Sequence, residues 1–229
     1  MRKRSKRYSA DEQKGAKEVL PLAEAVKKVK TFASTKFDQT VECVMHLGID
    51  PKQADQMIRG AISLPNGIGK ARKVIAFCED SEAEAAKAAG AIEAGCDELI
   101  EKVSGGWMDF DVAIASPKVM GKAGKLGRVL GPQGKMPSPK NGTVTPNVVD
   151  AVKEFAAGKV EFRNDSGGNI HAVVGKLSFD EGKLSGNIEA FIDHIKKMRP
   201  QTLKGAYVKK ICLTATMSPS VFVDLSVVS

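Results

Sequence analysis

The sequence predicts an α/β protein, and three observations lead to this fold class. Strand-like and helix-like segments alternate through the middle of the chain, as in a parallel sheet covered by helices. The last part instead combines β-rich segments with one long amphipathic helix, which is typical of an antiparallel sheet with a helix packed on it. Turn-rich segments near residues 66 and 159 separate these regions and indicate domain boundaries.

The first part, residues 1–66, contains a helix, a strand and a second predicted helix. An apolar stripe at helical spacing runs through PLAEAVKKVKTFA, and FDQTVECVMHLGI has the character of a strand. The segment DPKQADQMIRG predicts another helix. Asp50 suits the N-cap, Pro51 suits the first helical position and Gly60 suits the residue that ends a helix.

The middle part, residues 67–159, alternates between strands and helices. KVIAFC, ELI and DVAIA are predicted strands, and SEAEAAKAAGAIEAG and PNVVDAVKEFAAG are predicted helices. PKVMGKAGKLGRVLG is predicted to be partly helical. This order favours a layered, parallel α/β unit.

The last part, residues 160–229, changes to a mainly antiparallel pattern. KVEFRND and NIHAVVGKL are predicted strands joined by an SGG turn, which is a hairpin signal. The helix NIEAFIDHIKKM follows, with isoleucines and a phenylalanine on one face. GAYVKKICLTATMS and SVFVDLSVV are two further β-rich segments, separated by Pro219.

The net charge is +8, and the charges of the middle part are strongly segregated along the chain. Residues 79–111 contain ten carboxylates against Lys87 and Lys102, whereas residues 112–149 contain six cations and no carboxylate. Two interpretations stand side by side. The chain presents a basic side to a polyanion, or the opposite charges neutralise each other once the chain is folded.

Composition excludes several classes of protein. No apolar run approaches the roughly 20 residues of a membrane helix, and the basic N-terminus is not followed by the apolar stretch of a secretory signal. The four cysteines are isolated, which predicts reduced thiols and a cytoplasmic protein. Cys43 and His46 are three apart on a predicted strand and point to opposite faces, so no metal site is predicted.

The glycine-rich stretch LGRVLGPQGKMPSPKNGTVT, residues 126–145, raises the question of a phosphate loop. Around Gly134-Lys135, Val129 stands where the nucleotide-binding template needs glycine, and Met136 stands where it needs Ser or Thr. We therefore predict no cofactor, no catalytic residue and no enzyme. An α/β enzyme that binds a small anionic phosphate ligand at residues 121–142 remains the alternative.

Four long segments resemble a known family in sequence and in order: FDQTVECVMHLGIDPKQADQMIRGAISLPNGIGK, LGRVLGPQGKMPSPKNGTVT, VEFRNDSGGNIHAVVGK and LKGAYVKKICLTATMSPS. They are similar to the ribosomal L-one family, which builds the mobile stalk of the large subunit beside the exit site. The resemblance covers nearly the whole chain.

This resemblance implies a two-domain fold. Residues 1–66 and 160–229 would form domain one, a discontinuous α+β sandwich that binds ribosomal RNA. Residues 67–159 would form domain two, an inserted Rossmann-like three-layer α/β domain.

The resemblance also implies the partners. They are large-subunit ribosomal RNA, deacylated tRNA leaving the exit site, and the protein's own mRNA, whose translation it would repress. It implies a cytoplasmic protein that is a monomer within the ribosome and does not contact a membrane. The 126–145 stretch would help to meet tRNA or would stabilise its own domain.

The first group of RNA-binding residues implied by the resemblance lies around the predicted strand of the first part. Phe37 would stack on a sugar or base and Lys36 would meet a phosphate. Thr40 and Glu42 would hydrogen-bond 2′-hydroxyls from one strand face. From the residues alone, Phe37 equally fits a core aromatic, and Thr40 and Glu42 equally fit exposed strand polars.

The second group lies in FRNDSGGNIH and LKGAY. Arg163 and His171 would approach the RNA backbone, with Asp165 orienting Arg163, while Lys204 and Gly205 would contact phosphates from a turn. Alternatively, Arg163 and Asp165 form a surface ion pair of little energetic weight.

The third group is the pair Thr216 and Met217 in TATMSP, which matches the family's signature loop against RNA. Ser218 follows where the family usually has glycine. If that position requires a positive φ, serine would strain or shift the loop.

Overall fold

The computed structural model describes residues 5–14, 19–32 and 35–228, and it confirms the α/β class. The helices are α1 Lys6–Lys14, α2 Leu22–Lys30, α3 Asp80–Ala88, α4 Asp97–Ser104, α5 Met120–Ala123, α6 Gly127–Leu130, α7 Val148–Ala156 and α8 Glu181–Lys197. The strands are β1 Val19–Leu20, β2 Thr40–Leu47, β3 Arg59–Ile62, β4 Val74–Phe77, β5 Ala91–Gly95, β6 Val112–Ala115, β7 Val160–Arg163, β8 Asn169–Lys176, β9 Val208–Ala215 and β10 Val221–Val223.

The described residues fall into two compact units. Unit one contains the residues up to Gly69 together with those from Val160 onward, and unit two contains Lys70–Lys159. None of the helices in the described ranges has both the length and the apolar character needed to cross a bilayer.

Unit one is built on a five-stranded sheet with the order β1-β10-β9-β2-β8. Strand β2, which lies between β9 and the edge strand β8, is antiparallel to both of its neighbours, and the short edge strand β1 is parallel to β10. Helices α2 and α8 pack on the sheet and on each other. Their apolar faces close a core that includes Val26, Phe191 and Ile192, each almost fully buried.

The prediction of a helix over DPKQADQMIRG is wrong, because the structure has turns and the start of a strand there. The Asp50 carboxylate accepts a hydrogen bond from the Lys52 backbone N–H (3.1 Å), so the residue that suits an N-cap instead closes a local turn. Residues after this turn alternate in burial, and Arg59–Ile62 forms β3, paired antiparallel with β7. Cap-like residues without an apolar stripe behind them were therefore an insufficient helix signal.

The hairpin predicted around the SGG turn is present at the turn but not along both strands. An isolated bridge joins Asn164 to Ile170 across it. Beyond this bridge β7 pairs with β3, whereas β8 pairs with β2 in the larger sheet. The two strands therefore diverge into different sheets.

Unit two contains a parallel sheet with the order β5-β4-β6, flanked by helices. The predicted helix SEAEAAKAAGAIEAG ends early, because Gly90 adopts φ 114° and donates its N–H to the Lys87 carbonyl (3.0 Å). The following residues form β5, and the predicted ELI strand lies inside helix α4. Both assignments in this stretch are thus corrected.

Candidate nucleic-acid interface

The sheet of unit one has one face covered by helices and one open face. Along β2, alternate residues are buried, from Val41 to Leu47, while the residues between them, from Thr40 to His46, are only half-buried. This alternation is the expected result of a pleated strand with one face on the core. The open face is therefore available to a large partner.

The strand register places two of the predicted RNA-binding residues on this open face. Glu42 lies opposite Thr214 of β9, and Val44 lies opposite His171 of β8. Directly opposed residues of antiparallel strands point to the same face. Glu42 is half-buried and His171 is exposed, so both can be reached from solution.

At the beginning of β2, two distant segments of the chain are tied together. The Thr216 N–H donates to the Thr40 carbonyl (3.0 Å), and the Thr40 N–H donates to the Thr216 hydroxyl (3.2 Å). The buried Gln39 side chain donates its Nε2–H to the Thr216 carbonyl (2.7 Å). Phe37 and Met217 project from this junction and are 49% and 64% exposed. We call Phe37, Thr40, Thr216 and Met217 the Met217 corner.

The exposure of Phe37 excludes one of its two interpretations. It is not a core aromatic, because about half of its surface faces solvent. The segment that carries it is held in place from both sides. The Asp38 carboxylate accepts hydrogen bonds from the Ser178 N–H (3.1 Å) and hydroxyl (2.8 Å), and Lys176 Nζ donates to the Thr40 hydroxyl (2.8 Å). Lys36 is exposed beside it.

Met217 has an unusual backbone conformation. The Ser218 N–H donates to the Ala215 carbonyl (2.9 Å), which closes a four-residue turn. Met217 occupies the third position with φ 65°, and it is the one non-glycine residue of the described ranges with positive φ. A type II turn normally has glycine there. Such a conformation costs on the order of 1–3 kcal/mol and occurs preferentially at functional sites.

The condition under which Ser218 would strain this turn, a positive φ at its own position, is not met. Positive φ falls on Met217, one residue earlier. Ser218 is buried, and its hydroxyl donates to the Ala215 carbonyl (2.7 Å) and accepts from the Ala215 N–H (3.1 Å). Serine therefore stabilises the turn that presents Thr216 and Met217.

At the other end of β2, Asp165 organises the SGG turn. Its Oδ1 accepts from the Gly167 N–H (2.8 Å) and the Asn169 N–H (2.7 Å), and its Oδ2 accepts from Asn169 Nδ2 (3.0 Å). These hydrogen bonds hold the pKa of the Asp165 carboxyl below its ordinary value. The carboxylate thus positions its own turn, a different role from the predicted orientation of Arg163. His171 Nε2 lies 3.9 Å from Asp165 Oδ2.

The remaining predicted residues lie near this same end. Arg163 is exposed at the end of β7, and Lys204 and Gly205 are exposed on a turn before β9 where Gly205 has φ 93°. Backbone bonds join β2 to both loops. The Leu47 N–H donates to the Gly168 carbonyl (2.9 Å), and the Gly48 N–H donates to the Tyr207 carbonyl (2.7 Å). We call Arg163, Asp165, Lys204 and Gly205 the Asp165 end.

The structure therefore separates the predicted residues into two groups. The Met217 corner and the Asp165 end lie at opposite ends of the eight-residue strand β2, about 20–25 Å apart at about 3.3 Å per residue. Glu42 and His171 lie between them on the open face. An extended or folded polyanion can follow this line, whereas a small ligand cannot contact both ends.

Sequence reasoning missed residues that support the corner. Gln39 and Lys176 bind its backbone and its hydroxyl. Arg7 of α1 donates from Nη2 to the Met217 carbonyl (2.8 Å). In the sequence, Gln39 is only a neighbour of Phe37, and Arg7 is only one cation in the basic run MRKRSKR. Its contact depends on a separation of 210 residues in the chain.

In unit two the segregated charges meet each other. Lys118 pairs with Glu79 (3.2 Å) and Lys122 pairs with Asp97 (2.9 Å), so cations of the basic segment neutralise carboxylates of the acidic one. Lys135 Nζ donates to the Phe110 carbonyl (2.6 Å) and to the Met108 carbonyl (3.2 Å). These contacts favour mutual neutralisation, and they bind the Lys135 side chain to its own unit instead of leaving it directed at a phosphate.

Metal chemistry has no support in the described residues. They contain no group of three or more His, Cys, Asp or Glu side chains that could hold a metal ion. The thiol of Cys43 is buried in the core of unit one, and this burial raises its pKa, which keeps the reactive thiolate scarce.

Comparison with known proteins identifies close relatives. The family model described as the ribosomal protein L1p/L10e family matches residues 29–219. The large ribosomal subunit protein uL1 of Rhodopirellula baltica is 57% identical over 221 residues, which cover 96% of this chain and 98% of that protein. The protein of the same name from a Nocardioides strain is 50% identical over 223 residues (96% and 92%), and that of Chlorobaculum tepidum is 52% identical over 200 residues (87% of each).

Proposed function

Because the chain belongs to the ribosomal protein L1p/L10e family, we propose that it binds large-subunit ribosomal RNA through the open face of unit one. Its relatives are named as proteins of the large ribosomal subunit, so its place is the ribosome and its role is structural and not enzymatic. The observation that carries the RNA-binding proposal is the Met217 corner, where an exposed methionine on a strained turn stands beside an exposed phenylalanine.

The corner suits recognition of a folded RNA by its shape. Phe37 offers an aromatic face on which a base or sugar stacks, and Met217 offers an adaptable apolar surface. Thr216 and Thr40 carry hydroxyl groups at the edge of the corner. Lys36 directly precedes Phe37 in the chain, so its ammonium group could meet a phosphate of an RNA bound there. Because hydrogen bonds between distant segments hold this surface in place, little conformational entropy is lost when RNA binds.

The open face extends the contact toward the Asp165 end. Glu42 and His171 line the route, and Arg163, Lys204 and Gly205 would contact the sugar–phosphate backbone at its end. Such contacts fix position and register without reading bases. Domain one, residues 1–66 with 160–229, is thus the proposed RNA-binding domain, and residues 67–159 form the proposed inserted domain.

The finer functions belong to the same proposal. We infer that the protein forms the mobile stalk, assists the release of deacylated tRNA from the exit site and represses its own mRNA through an RNA fold similar to the ribosomal one. For the 126–145 stretch, the Lys135 bonds to carbonyl groups favour stabilisation of its own unit over direct contact with tRNA.

Footprinting of the protein on large-subunit ribosomal RNA, combined with binding measured across salt concentrations, tests the proposal. Contact with several phosphates predicts a steep decrease in affinity between about 50 mM and about 500 mM salt, with a log–log slope of several units. Affinity that is the same at both concentrations would contradict the proposal. Saturable binding of a nucleotide or sugar phosphate would instead support the small-ligand alternative.

A further inference from the structure

Helix α1 reaches the Met217 corner through one side chain. Arg7 Nη2 donates to the Met217 carbonyl at 2.8 Å, and Arg7 Nη1 lies 3.6 Å from the Asp11 carboxylate on the next turn of the same helix. Asp11 is 1% exposed, whereas the Arg7 side chain is 31% exposed. A buried carboxylate and a turn carbonyl thus hold a guanidinium that still reaches the surface.

This arrangement gives Arg7 a defined position. A free arginine side chain has much rotamer freedom, which is lost when it binds a ligand. Here the Asp11 carboxylate and the Met217 carbonyl have already fixed the planar group, so a ligand at this position would find it preorganised. The guanidinium carries five N–H donors in a fork that matches phosphate oxygens.

The location indicates which ligand this group would take. The carbonyl that Arg7 binds belongs to the strained residue whose side chain is exposed at the corner, and Thr216 precedes it. A polyanion that covers Met217 and Thr216 must pass beside Arg7. An RNA backbone carries a phosphate at every nucleotide, so one phosphate can meet Arg7 while its neighbours cover the rest of the corner.

We propose that Arg7 is a further RNA-binding residue of the Met217 corner, where its guanidinium binds a backbone phosphate while Asp11 holds it in place. This inference rests on the proposed function. It adds α1 to the RNA-binding surface and joins a residue near the start of the chain to a turn 210 positions later.

A purely structural role makes a different prediction. If Arg7 only steadied the turn through the Met217 carbonyl, its loss would weaken RNA binding without changing the number of phosphates neutralised. The salt dependence of binding counts phosphate contacts, at about 0.7–0.9 units of log–log slope for each. Salt slopes therefore separate the two roles.

Lys14 provides a matched control. Its Nζ lies 3.8 Å from Asp11 Oδ1, so Lys14 shares with Arg7 both the helix and the carboxylate partner, but its Cα lies about 10 Å further along the helix. The variants Arg7→Gln and Lys14→Gln each remove one positive charge and one partner of Asp11. Arg7→Lys keeps the charge and loses the planar fork.

The experiment measures binding of the full-length variants to protein-free large-subunit ribosomal RNA from about 50 mM to about 500 mM salt. For Arg7→Gln we expect roughly tenfold weaker binding and a slope lower by about 0.7–0.9. Arg7→Lys should keep the slope of the unmodified chain, and so should Lys14→Gln. Thermal melting of each variant, followed by circular dichroism, establishes that the fold is retained.

Two outcomes overturn the inference. An unchanged slope for Arg7→Gln would assign Arg7 a purely structural role, and equal slope losses for Arg7→Gln and Lys14→Gln would reflect total charge and not a site. A failure of the proposed function would give a different result. The unmodified chain would then show no salt-dependent binding to the RNA, and the Met217→Asp variant would have the same affinity as the unmodified chain.

Discussion

The two ends of β2 are built in different ways. At the Met217 corner, bonds between Thr40 and Thr216 join segments that are far apart in the chain, and a strained residue is held at the surface. At the Asp165 end, a carboxylate organises the few residues that follow it. The corner is therefore a surface fixed by long-range hydrogen bonds, while the Asp165 end is a locally ordered set of charged and hydrogen-bonding groups.

The largest expected effect is the loss of RNA affinity on Met217→Asp. A carboxylate at this exposed position repels the phosphate backbone, and we expect binding about 100-fold weaker, equivalent to about 3 kcal/mol. In Met217→Gly, the glycine adopts φ 65° without strain and adds no charge. The RNA affinity of this variant should therefore lie between that of the unmodified chain and that of Met217→Asp. Filter binding measures both variants, and unchanged affinity for Met217→Asp would place the RNA surface elsewhere.

Phe37→Ala is expected to have the next largest effect. Loss of a stacking aromatic costs about 1–3 kcal/mol of RNA affinity, while the fold should be retained because Phe37 is 49% exposed. Val19, which is 61% exposed on the edge strand β1, provides the control. Titration of labelled RNA should give normal affinity for Val19→Ala. Equal losses in the two variants would show that surface hydrophobicity in general, and not this corner, determines binding.

At the Asp165 end we expect an effect on stability. Asp165→Asn removes the negative charge of a carboxylate that accepts three hydrogen bonds. Because this carboxylate is exposed, the free energy of unfolding at neutral pH should fall by about 1 kcal/mol or less. The pKa of the Asp165 carboxyl is lower in the folded state than in the unfolded chain. The stabilisation is therefore fully present above the ordinary carboxyl pKa of about 4, and it is lost as the pH falls through the lower pKa of the folded state.

Urea unfolding at several pH values measures this difference. The gap between the two chains should be largest at neutral pH and should close in acid. Glu189→Gln, at an exposed position of α8, controls for the loss of one negative charge. A gap that does not change with pH would mean that the Asp165 carboxylate does not stabilise its turn.

The smallest expected effect is that of Lys204→Gln. An exposed lysine that meets one phosphate should contribute less than about 1 kcal/mol to affinity, and its loss should lower the salt slope by about 0.7–0.9. Stability should not change, because Lys204 is exposed on a turn. Binding titrations across salt concentrations detect the change. An effect as large as that of Met217→Asp would reverse the proposed ranking of the two ends.

Periodicity was sufficient to predict the elements with a strong apolar pattern. The stripe of α2 and the alternation of β2 have lengths and boundaries close to the predicted ones. It failed where local signals were ambiguous, as at Asp50, whose side chain closes a turn as readily as it caps a helix. It also failed at Gly90, whose positive φ ends α3 and releases the next residues into β5.

The sequence named candidate site residues, but it did not indicate how they are arranged. The motif resemblance named Phe37 and Thr216, but only strand pairing shows that their segments are bonded to each other. Nothing local in the sequence indicates the contact of Arg7 with Met217, because it joins positions that are far apart in the chain. The positive φ of Met217 was likewise hidden, since methionine is not a residue that suggests it.

The strand order of unit one has a consequence for the way the chain matures during synthesis. Its inner strand β2 leaves the translating ribosome early, yet its neighbours β8 and β9 emerge only after the whole of Lys70–Lys159. The contiguous unit two can therefore fold first, while β2 waits for partners that arrive last. A nascent chain interrupted before Val208 has no Thr216 to bind Thr40, so the Met217 corner forms only after β9 has been synthesised.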